Sequence, residues 1–403
     1  MTGAAIAGLG MTELGKVYGR SSAQLAAEAV RLATADAGLE LSQLDGLLVS
    51  SGIKQDVGVN LASVLALGDL GLLAQVNAYG ATAGVMVAQA AQAIAAGAVT
   101  AVACVFADTP LRPKRPAGSA WGAPRGGAGQ PRGLAGWSLA SGAASPNILY
   151  ALCARRHMER YGTTSAQLAE VAAAQRAWAA GNPLAAMREP LTVDGHQASR
   201  WIAEPLHLLD CCLVSNGAIA VIVTSADRAA ALRRPPVHVW GYGQGHVPRQ
   251  MHAGSDWGLV TPAVRSGPQA MAMAGIGVDD VDICELYDCY TYTVLVTLED
   301  YGFCAKGEGG SFVTGGRLGP GGKLACNTGG GQLSAYYMWG MTPLSEAVIQ
   351  ARGDGGARQA PRNDVILVSG NGGILEHHST LVLSPHPGRR HRGQPHLTEQ
   401  GPT

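Results

Sequence analysis

The strongest constraint on the fold is an internal repeat, because the second part of the chain runs through the same segments as the first. The segment AGIGVDDVDICELYD, which begins at Ala274, tracks AGLELSQLDGLLVSS, which begins at Ala37. Asn327 in LACNTGG has a counterpart in Asn77 of QVNAYG. The offset between matching positions widens along the chain, as loop insertions in the second copy would cause. Self-similarity of this kind indicates two halves that share one supersecondary pattern.

Each half consists of predicted strands that alternate with predicted helices. Residues 99–106 (VTAVACVF) and 217–224 (GAIAVIVT) are apolar throughout, which is typical of strands buried on both faces. Residues 21–38 predict a helix that a serine caps and Gly38 ends. The sequence therefore predicts an α/β fold, layered αβαβα, with sheets inside and helices between and outside them.

The repeat also indicates where the chain divides. The predicted units are an N-terminal half at 1–236 with an inserted loop region at about 108–215, a C-terminal half at 237–384, and a tail at 385–403. The tail has no apolar period, so we expect it to be disordered. Within the insertion, residues 111–137 are rich in Pro, Gly and Arg and predict an irregular surface excursion. Its basic side chains favour simple solvation over contact with a phosphorylated ligand; they are Arg112, Lys114, Arg115, Arg125 and Arg132.

The composition argues against several classes of protein. The 29 basic residues balance 29 acidic ones, so neither nucleic acid nor an anionic membrane is expected as a partner. The chain contains no run of about 18 apolar residues that could span a membrane. Its N-terminus lacks the basic and apolar regions of a signal peptide, which favours a cytoplasmic location. The eight cysteines form no CxxC pair, so we expect reduced thiols and no metal site.

One stretch, residues 281–304 (VDICELYDCYTYTVLVTLEDYGFC), combines the features of an active-site turn. Val281, Ile283 and Leu286 alternate as in a half-buried strand, and apolar residues at helical spacing then continue until Gly302. Polar side chains between a strand end and a helix start are where open α/β sheets place their chemistry. An ordinary packed turn would look the same, so this segment alone does not decide the function.

Longer motifs give the chain a resemblance to a known family. The most specific are YDCYTYTVLVTLEDYGFCAKGEGGSFV at 287–313, NTGGGQLSAYY at 327–337, RWIAEPLHLLDCC at 200–212 and VSGNGG at 368–373. With these motifs the chain resembles the thiolase superfamily, and most closely the sterol-carrier-protein type of thiolase. The likeness covers nearly all of residues 3–384.

The positions that carry thiolase chemistry are replaced in this chain. Where the family has its nucleophilic cysteine, the turn reads NAYGATAG and Gly80 aligns with the cysteine. The Asn or His of the second half aligns with Tyr287 in YDCY, and the His of the Gly-His-Pro motif aligns with Tyr337. The Cys-x-Gly motif is replaced by the sequence GNGG at 370–373. Together these replacements remove acyl-enzyme chemistry, so ordinary thiolase activity is not expected.

Glycine for cysteine together with two tyrosines resembles the aldol-lyase branch of the superfamily. That resemblance implies cleavage of a β-hydroxyacyl-CoA thioester, with a steroid side chain favoured by analogy, and with Tyr287 and Tyr337 as the catalytic residues. It implies no cofactor beyond the coenzyme A of the substrate. It also implies a homodimer, paired through the strand near 99–106, and a small OB-fold, acyl-CoA-binding partner that could dock near 111–137.

Retro-aldol cleavage needs a base for the β-hydroxyl proton and donors for the thioester enolate. A tyrosine base near pH 7 requires its pKa to fall from about 10 to about 7, which costs about 4 kcal/mol, and two convergent phenols could share that cost. We expect Tyr290 and Tyr336 to point elsewhere. The candidate substrate-binding residues lie in the glycine-lined turns and are Gly80, Asn327, Gly330, Asn371 and Gly372.

Two other interpretations stay open at this stage. The first is acyl transfer or Claisen condensation by an unexpected thiol, for which Cys289 is the nearest candidate, although the family keeps a cysteine there beside its separate nucleophile. The second is a non-catalytic thiolase-like subunit that pairs with an active enzyme. Two phenols at two aligned catalytic turns argue against simple decay. His377 and His378 could line the pocket, but a structural pair is the favoured interpretation.

Overall fold

The computed structural model describes residues 3–121, 136, 140–143, 145–247 and 256–388. Most of the predicted tail at 385–403 therefore lies outside the described residues, as do Arg125 and Arg132 of the surface excursion. Within the excursion, Arg112, Lys114 and Arg115 are exposed. None of the helices in the described part of the chain is long and apolar enough to cross a membrane.

The core of the fold is one ten-stranded mixed sheet. The described residues form twelve strands, of which ten belong to this sheet. They are β1 (Ala4–Met11), β2 (Gly46–Ser51), β3 (Leu72–Gln75), β4 (Ala101–Asp108), β5 (Trp201–Ala203), β6 (Leu206–His207), β7 (Gly217–Ser225), β8 (Val237–His246), β9 (Ile283–Glu285), β10 (Ala325–Cys326), β11 (Ile366–Gly372) and β12 (His377–Ser384). Their order in the sheet is β10-β9-β11-β12-β8-β1-β7-β4-β2-β3, and β5 and β6 form a separate hairpin.

The strand order confirms the duplication. In each half, the five strands lie in the spatial order third, second, fourth, fifth, first. Asn77 follows the third strand of the first half and Asn327 follows the third strand of the second, as the repeat predicts. The two halves join where β1 pairs antiparallel with β8. The unit boundaries at 236/237 and 384/385 stay a prediction.

Helices cover and separate the two halves of the sheet. They are α1 (Ser22–Ala37), α2 (Leu61–Val64), α3 (Thr82–Ala95), α4 (Pro146–Tyr161), α5 (Ser165–Ala179), α6 (Val193–Gln197), α7 (Ala226–Ala230), α8 (Ala263–Ala274), α9 (Thr291–Tyr301), α10 (Gly309–Phe312) and α11 (Met341–Ala351). Helix α3 contacts β4 and β7 on one side and β11 and β12 on the other, so it lies between the halves beside α11. Helix α1 packs on β1 and β7, and α8 packs on β8 and β12. The predicted αβαβα layering is confirmed.

Glycines in the first strand of each half allow the outer helices to approach closely. A Cβ on Gly10 would overlap the carbonyl oxygen of Ala29 in α1, and a Cβ on Gly243 would overlap that of Ser266 in α8. These glycines therefore serve helix–strand packing. Both ends of α1 lie where the sequence predicts them. Ser21 caps its start, and Gly38 ends it with a left-handed backbone.

The insertion distinguishes the first half from the second. Residues 109–216 connect β4 to β7, whereas residues 373–376 suffice to connect the equivalent strands β11 and β12. The insertion contributes α4, α5, α6 and the β5–β6 hairpin. These elements have no counterpart between β11 and β12 in the second half.

Two local predictions are wrong. Strand β9 is not half-buried, because Ile283, Cys284 and Glu285 are all buried, and every residue of α9 is buried as well. The strand predicted to pair two copies, near 99–106, is β4, and it lies inside the sheet between β2 and β7. A strand that already has two neighbours cannot offer an edge to a second copy. The edge strand on this side of the sheet is β3.

Candidate active site

The two tyrosines singled out from the sequence meet in the structure. The hydroxyl oxygens of Tyr287 and Tyr337 are 3.1 Å apart, within hydrogen-bonding distance, although 50 residues separate them in the chain. Both side chains are buried, at 4% and 6% exposure respectively. The predicted convergence of two phenols is therefore what the tertiary structure produces.

Tyr287 lies in the turn between β9 and α9, and neighbouring elements hold that turn. Its backbone N–H donates to the hydroxyl of Ser369 in β11, at 2.9 Å. The preceding N–H, of Leu286, donates to Oδ1 of Asn327, at 2.6 Å. The hydroxyl of Thr293 in α9 donates to the Tyr287 carbonyl, at 3.0 Å. Because the backbone is fixed from three directions, the ring has a defined position.

Tyr337 follows a π-helical segment at Gly331–Ala335. Its backbone N–H donates to the hydroxyl of Ser215, at the end of the insertion, at 3.0 Å. The carbonyl of Gln332 accepts from Leu213 N–H at 2.9 Å. The insertion therefore helps to orient the second phenol.

The absence of a side chain at Gly80 is what makes room for the Tyr287 ring. A Cβ on Gly80 would overlap Cζ and Cε2 of Tyr287 and the carbonyl oxygen of Asn371. A cysteine side chain at this turn is thus incompatible with the observed Tyr287 conformation. A side chain at position 80 and the observed position of the Tyr287 ring therefore exclude each other.

The turn that contains Gly80 has a structural counterpart in the second half. Residues 78–82 and 338–342 adopt the same conformation, in which Tyr79 and Trp339 have left-handed backbones with φ of 51° and 50°. In both turns, the hydroxyl of the closing threonine accepts the N–H of the first residue, at 2.8 and 2.9 Å. Bulky residues in this region of φ/ψ space are strained, and such strain is found at functional sites.

The paired hydroxyls lie at a cavity of about 350 Å³. Aromatic rings, three cysteines and the glycine-lined turns surround it; the lining residues are Tyr79, Gly80, Pro146, Asn147, Tyr150, Cys211, Cys212, Tyr287, Cys289, Tyr290, Tyr337, Trp339, Asn371, Gly372, Gly373, Ile374 and Glu376. A cavity of this size, with few polar groups among aromatic rings, suits a small organic ligand.

The structure divides the predicted substrate-binding residues into two groups. Gly80, Asn371 and Gly372 line the cavity. Asn327 and Gly330 are not among its lining residues. Asn327 instead fixes the end of β9 through its bond to Leu286, and Gly330, with a left-handed backbone, packs against Ala179. These two residues therefore support the turns and do not line the cavity.

The prediction for the two neighbouring tyrosines is half wrong. Tyr290 lines the cavity and donates its hydroxyl proton to Oδ1 of Asn147, at 2.6 Å. The insertion holds it in this position, because Cys211 pairs with Tyr290 and the Cys212 N–H donates to the Cys289 carbonyl at 3.0 Å. Tyr336 does point elsewhere, since its hydroxyl bonds to Ser345 in α11, at 3.1 Å.

Burial controls the acidity of the site. It raises the pKa of both Tyr287 and Tyr337 well above the usual value for a phenol. The mutual hydrogen bond lowers the pKa of Tyr287, but desolvation is the larger effect. This direction is opposite to the fall in pKa that a resident phenolate base at pH 7 would require. Both hydroxyls are neutral at that pH and have protons to donate.

The cysteines of the cavity are equally neutral. Burial raises the pKa of the Cys289 thiol to about 12 and that of Cys212 well above its usual range. Because the thiolate is the reactive form, these thiols are poor nucleophiles at neutral pH. His378 is buried, and its Nδ1 lies 2.8 Å from the Ser266 hydroxyl, as a structural histidine would. Among the described residues, no three potential ligands converge on a metal site.

Sequence reasoning missed several residues that shape the site. Tyr150 of α4 donates to the carbonyl of Gly373 at 2.8 Å and accepts from the amide of Asn371 at 3.0 Å, so it holds that turn in place. Its ring packs on Tyr290, with centroids 4.5 Å apart. Asn147, on the same helix, was missed as well. Neither belongs to a motif, and their position follows from the way the insertion folds back.

We predict that Gly80→Ala destabilises the protein by about 2 kcal/mol, because the added methyl group overpacks the Tyr287 ring. The measurement is the free energy of unfolding in a double-mutant cycle with Tyr287→Ala. Removal of the ring relieves the overlap with Tyr287 and leaves the one with the Asn371 carbonyl oxygen, so the double variant should recover part of the loss and be more stable than additivity predicts by about 1 kcal/mol. Additive losses would mean that the ring and Gly80 do not compete for the same space.

Comparison with known proteins places this geometry in a family. Residues 243–385 match the family described as thiolase C-terminal domain-like. A steroid side-chain-cleaving aldolase of Thermomonospora curvata is 39% identical over 92% of this chain and 95% of its own length. The 17-hydroxy-3-oxo-4-pregnene-20-carboxyl-CoA lyase of Mycobacterium tuberculosis is 36% identical over 92% of this chain and 96% of its own. An acetyl-CoA acetyltransferase of Methanothermobacter thermautotrophicus is 31% identical over 94% and 99%.

Solved structures agree with these relatives. A structure described as Ltp2-ChsH2(DUF35) aldolase superposes with a TM-score of 0.84 and 37% identity, and the match covers 95% of this chain and 97% of that one. The Acat5 thiolase of Ascaris suum in complex with coenzyme A has a TM-score of 0.66 at 15% identity, over 95% of this chain and 99% of that one, and so shares the fold. The predicted fold and the predicted resemblance are both confirmed. The chain belongs to the thiolase superfamily, among the sterol-carrier-protein-type members that include steroid side-chain-cleaving aldolases.

Proposed function

We propose that this protein is an aldol lyase that cleaves a β-hydroxyacyl-CoA thioester whose acyl group is a steroid side chain. The observation that carries the proposal is the pair of neutral phenols at the cavity, Tyr287 and Tyr337, beside a turn where Gly80 leaves no nucleophile. Two relatives aligned over nearly their whole length are described as an aldolase and a lyase of this type.

The chemistry is balanced without a covalent intermediate. The β-hydroxyl loses its proton, the Cα–Cβ bond breaks to give a ketone, and the electron pair moves into the thioester enolate. A proton then returns to Cα, so the reaction consumes none. One phenol oxygen accepts the β-hydroxyl proton as its own proton moves toward the other, and the second phenol supplies the proton that Cα requires.

The raised pKa of both phenols fits this concerted relay. A resident phenolate would be costly at a buried site, whereas two neutral hydroxyls can pass a proton without a stable charge. The start of α3 lies directly after Gly80, and its N-terminal dipole favours negative charge at that end of the cavity. The aromatic rings of Tyr79, Tyr150 and Trp339 offer apolar surface to a polycyclic acyl group.

The second candidate function is thiolase-type acyl transfer, which the similarity to an acetyl-CoA acetyltransferase favours. Against it, Gly80 stands at the nucleophile turn and the Cys289 thiol is neutral at pH 7. A non-catalytic subunit is the third candidate. Its weakness is that two buried phenols within hydrogen-bonding distance require precise support from three elements, which a site without function would not retain.

We predict that Tyr287→Phe and Tyr337→Phe each reduce kcat for cleavage by at least about a hundredfold, the range of a general acid or base. Each change removes a hydroxyl and keeps the ring, so folding and acyl-CoA binding should persist. The measurement is release of the ketone from a synthetic steroid β-hydroxyacyl-CoA.

Tyr336→Phe is the matched control, because Tyr336 is equally buried yet bonds to Ser345 away from the cavity. Tyr290 is unsuitable as a control because it lines the cavity. If both active-site variants turn over at the rate of the Tyr336→Phe variant, the two phenols do not carry the reaction.

The covalent alternative has its own test. Intact-protein mass spectrometry after incubation with acetyl-CoA or a longer acyl-CoA should show no thiol-bound acyl group, because buried neutral thiols attack thioesters slowly. A stoichiometric adduct on any cysteine, Cys289 above all, would restore the acyltransferase interpretation.

The proposed assembly is a homodimer that binds a DUF35 partner. Strand β3 pairs on one side with β2, and its other side is a sheet edge with Leu73 at 44% exposure. Open apolar edges invite pairing, and two copies of β3 related by a two-fold axis would cover each other. The structure described as Ltp2-ChsH2(DUF35) aldolase supports a partner of that kind, and we propose that it takes the place of the small OB-fold protein expected from the resemblance.

We predict that the protein is a dimer at micromolar concentration and that Leu73→Lys shifts it toward the monomer, because charge on β3 opposes strand pairing. Light scattering measures the mass. Leu184→Lys is the control, since Leu184 is as exposed, at 53%, and lies outside β3. A wild-type monomer, or equal dimerisation of both variants, would contradict pairing through β3.

A further inference from the structure

Asp288, the residue after Tyr287, connects the two tyrosine segments. Its side chain is buried, and its carboxylate accepts the backbone N–H of Gln332 at 2.8 Å and that of Leu333 at 3.1 Å. Both donors belong to the π-helical segment that leads to Tyr337. One carboxylate therefore joins the turn of the first phenol to the segment of the second.

The contact is close enough to constrain the sequence around it. A Cβ on Gly331 would overlap Oδ2 of Asp288, and Gly331 has a left-handed backbone with φ of 60°. The far end of the π-helical segment is held separately, since Met187 N–H donates to the carbonyl of Ser334 at 2.9 Å. At the near end, on the side of Tyr287, Asp288 acts together with Leu213, whose N–H donates to the Gln332 carbonyl at 2.9 Å.

We propose that Asp288 is a positioning residue whose ionised carboxylate holds the Tyr337 segment against Tyr287, so that protonation of this carboxylate separates the two phenols. The Gln332 N–H reaches both carboxylate oxygens, at 3.0 and 2.8 Å, and an ionised carboxylate makes stronger, charge-assisted bonds than a neutral acid. Protonation removes that charge and makes one oxygen a donor, so the bonds to the segment weaken. The consequence for catalysis rests on the proposed function. The clamp itself does not.

The surroundings of Asp288 set the pH range of this effect. Burial raises the pKa of the carboxyl to about 7, against the opposing effect of the N–H donors. The groups that face it from its own turn, β9, β10, the insertion and α11 are Tyr287, Cys289, Glu285, Cys326, Cys212 and Glu346. Burial keeps the phenol and the thiols neutral, and Glu346 is paired with Arg358. Glu285 is the competing acid, since burial raises its pKa well above the usual value.

The test compares pH profiles of kcat and of kcat/KM for cleavage by the wild type, Asp288→Asn, Glu285→Gln and Asp108→Asn. Wild-type kcat should fall as the pH drops below about 7. Asp288→Asn should lose about a hundredfold in kcat with little change in KM, because the phenols are misplaced while the cavity remains, and its acid limb should disappear.

The other two variants are matched controls. Asp108 is a buried carboxylate that also accepts backbone N–H groups, from Ile53 and Lys54, but at the end of β4 and outside the cavity lining. Its replacement should leave kcat and the pH profile unchanged. Glu285→Gln should keep the acid limb. Loss of the limb in Glu285→Gln but not in Asp288→Asn would overturn the proposal, as would an equal loss of kcat in Asp108→Asn.

Hydrogen exchange on the wild type tests the clamp without any variant or turnover. After correction for intrinsic exchange, protection of the Gln332 and Leu333 amides should decrease as the pH falls from about 8 to about 6. Constant protection would refute the clamp even if the protein cleaves its substrate. A pH-dependent loss of protection in a protein that shows no lyase activity would refute the proposed function and leave the clamp standing.

Discussion

The contact between the Tyr287 ring and the bare backbone of Gly80 is the interaction on which the site depends. It joins the second half of the duplicated fold to the first, at the turn that the sequence resemblance aligns with the thiolase nucleophile. Because a side chain at position 80 and the ring compete for the same space, the chemistry of the two halves cannot change independently. The position of Tyr287 then brings its hydroxyl within 3.1 Å of Tyr337.

Burial gives this pair its chemical character. A phenol in water is a weak acid, and in this cavity desolvation raises the pKa of both hydroxyls further, so the pair holds two protons and carries no charge. Proton transfer between neutral groups needs accurate alignment. The structure provides it through Ser369, Ser215 and the Asp288 carboxylate, each of which fixes a backbone segment.

The repeat and the insertion contribute different things. The repeat builds the layered scaffold and places two equivalent turns next to each other at the cavity, where the ring centroids of Tyr79 and Trp339 are 6.2 Å apart. The insertion between β4 and β7 supplies the remaining wall, since Asn147, Tyr150 and the two cysteines at 211–212 belong to it. Scaffold and wall together form the cavity.

The sequence by itself determined the duplicated α/β fold, the ends of α1, the absence of a thiol at position 80 and which two tyrosines meet at the cavity. Each of these is written in local periodicity, in capping residues or in a motif. Only the tertiary structure decided that Tyr290 faces the cavity, that Asn327 supports β9, that β4 is internal and that Asp288 links the two segments. Those outcomes depend on contacts between residues far apart in the chain, which no local pattern encodes. For Tyr290 the deciding contacts come from the insertion, and the sequence does not show where a long insertion folds back.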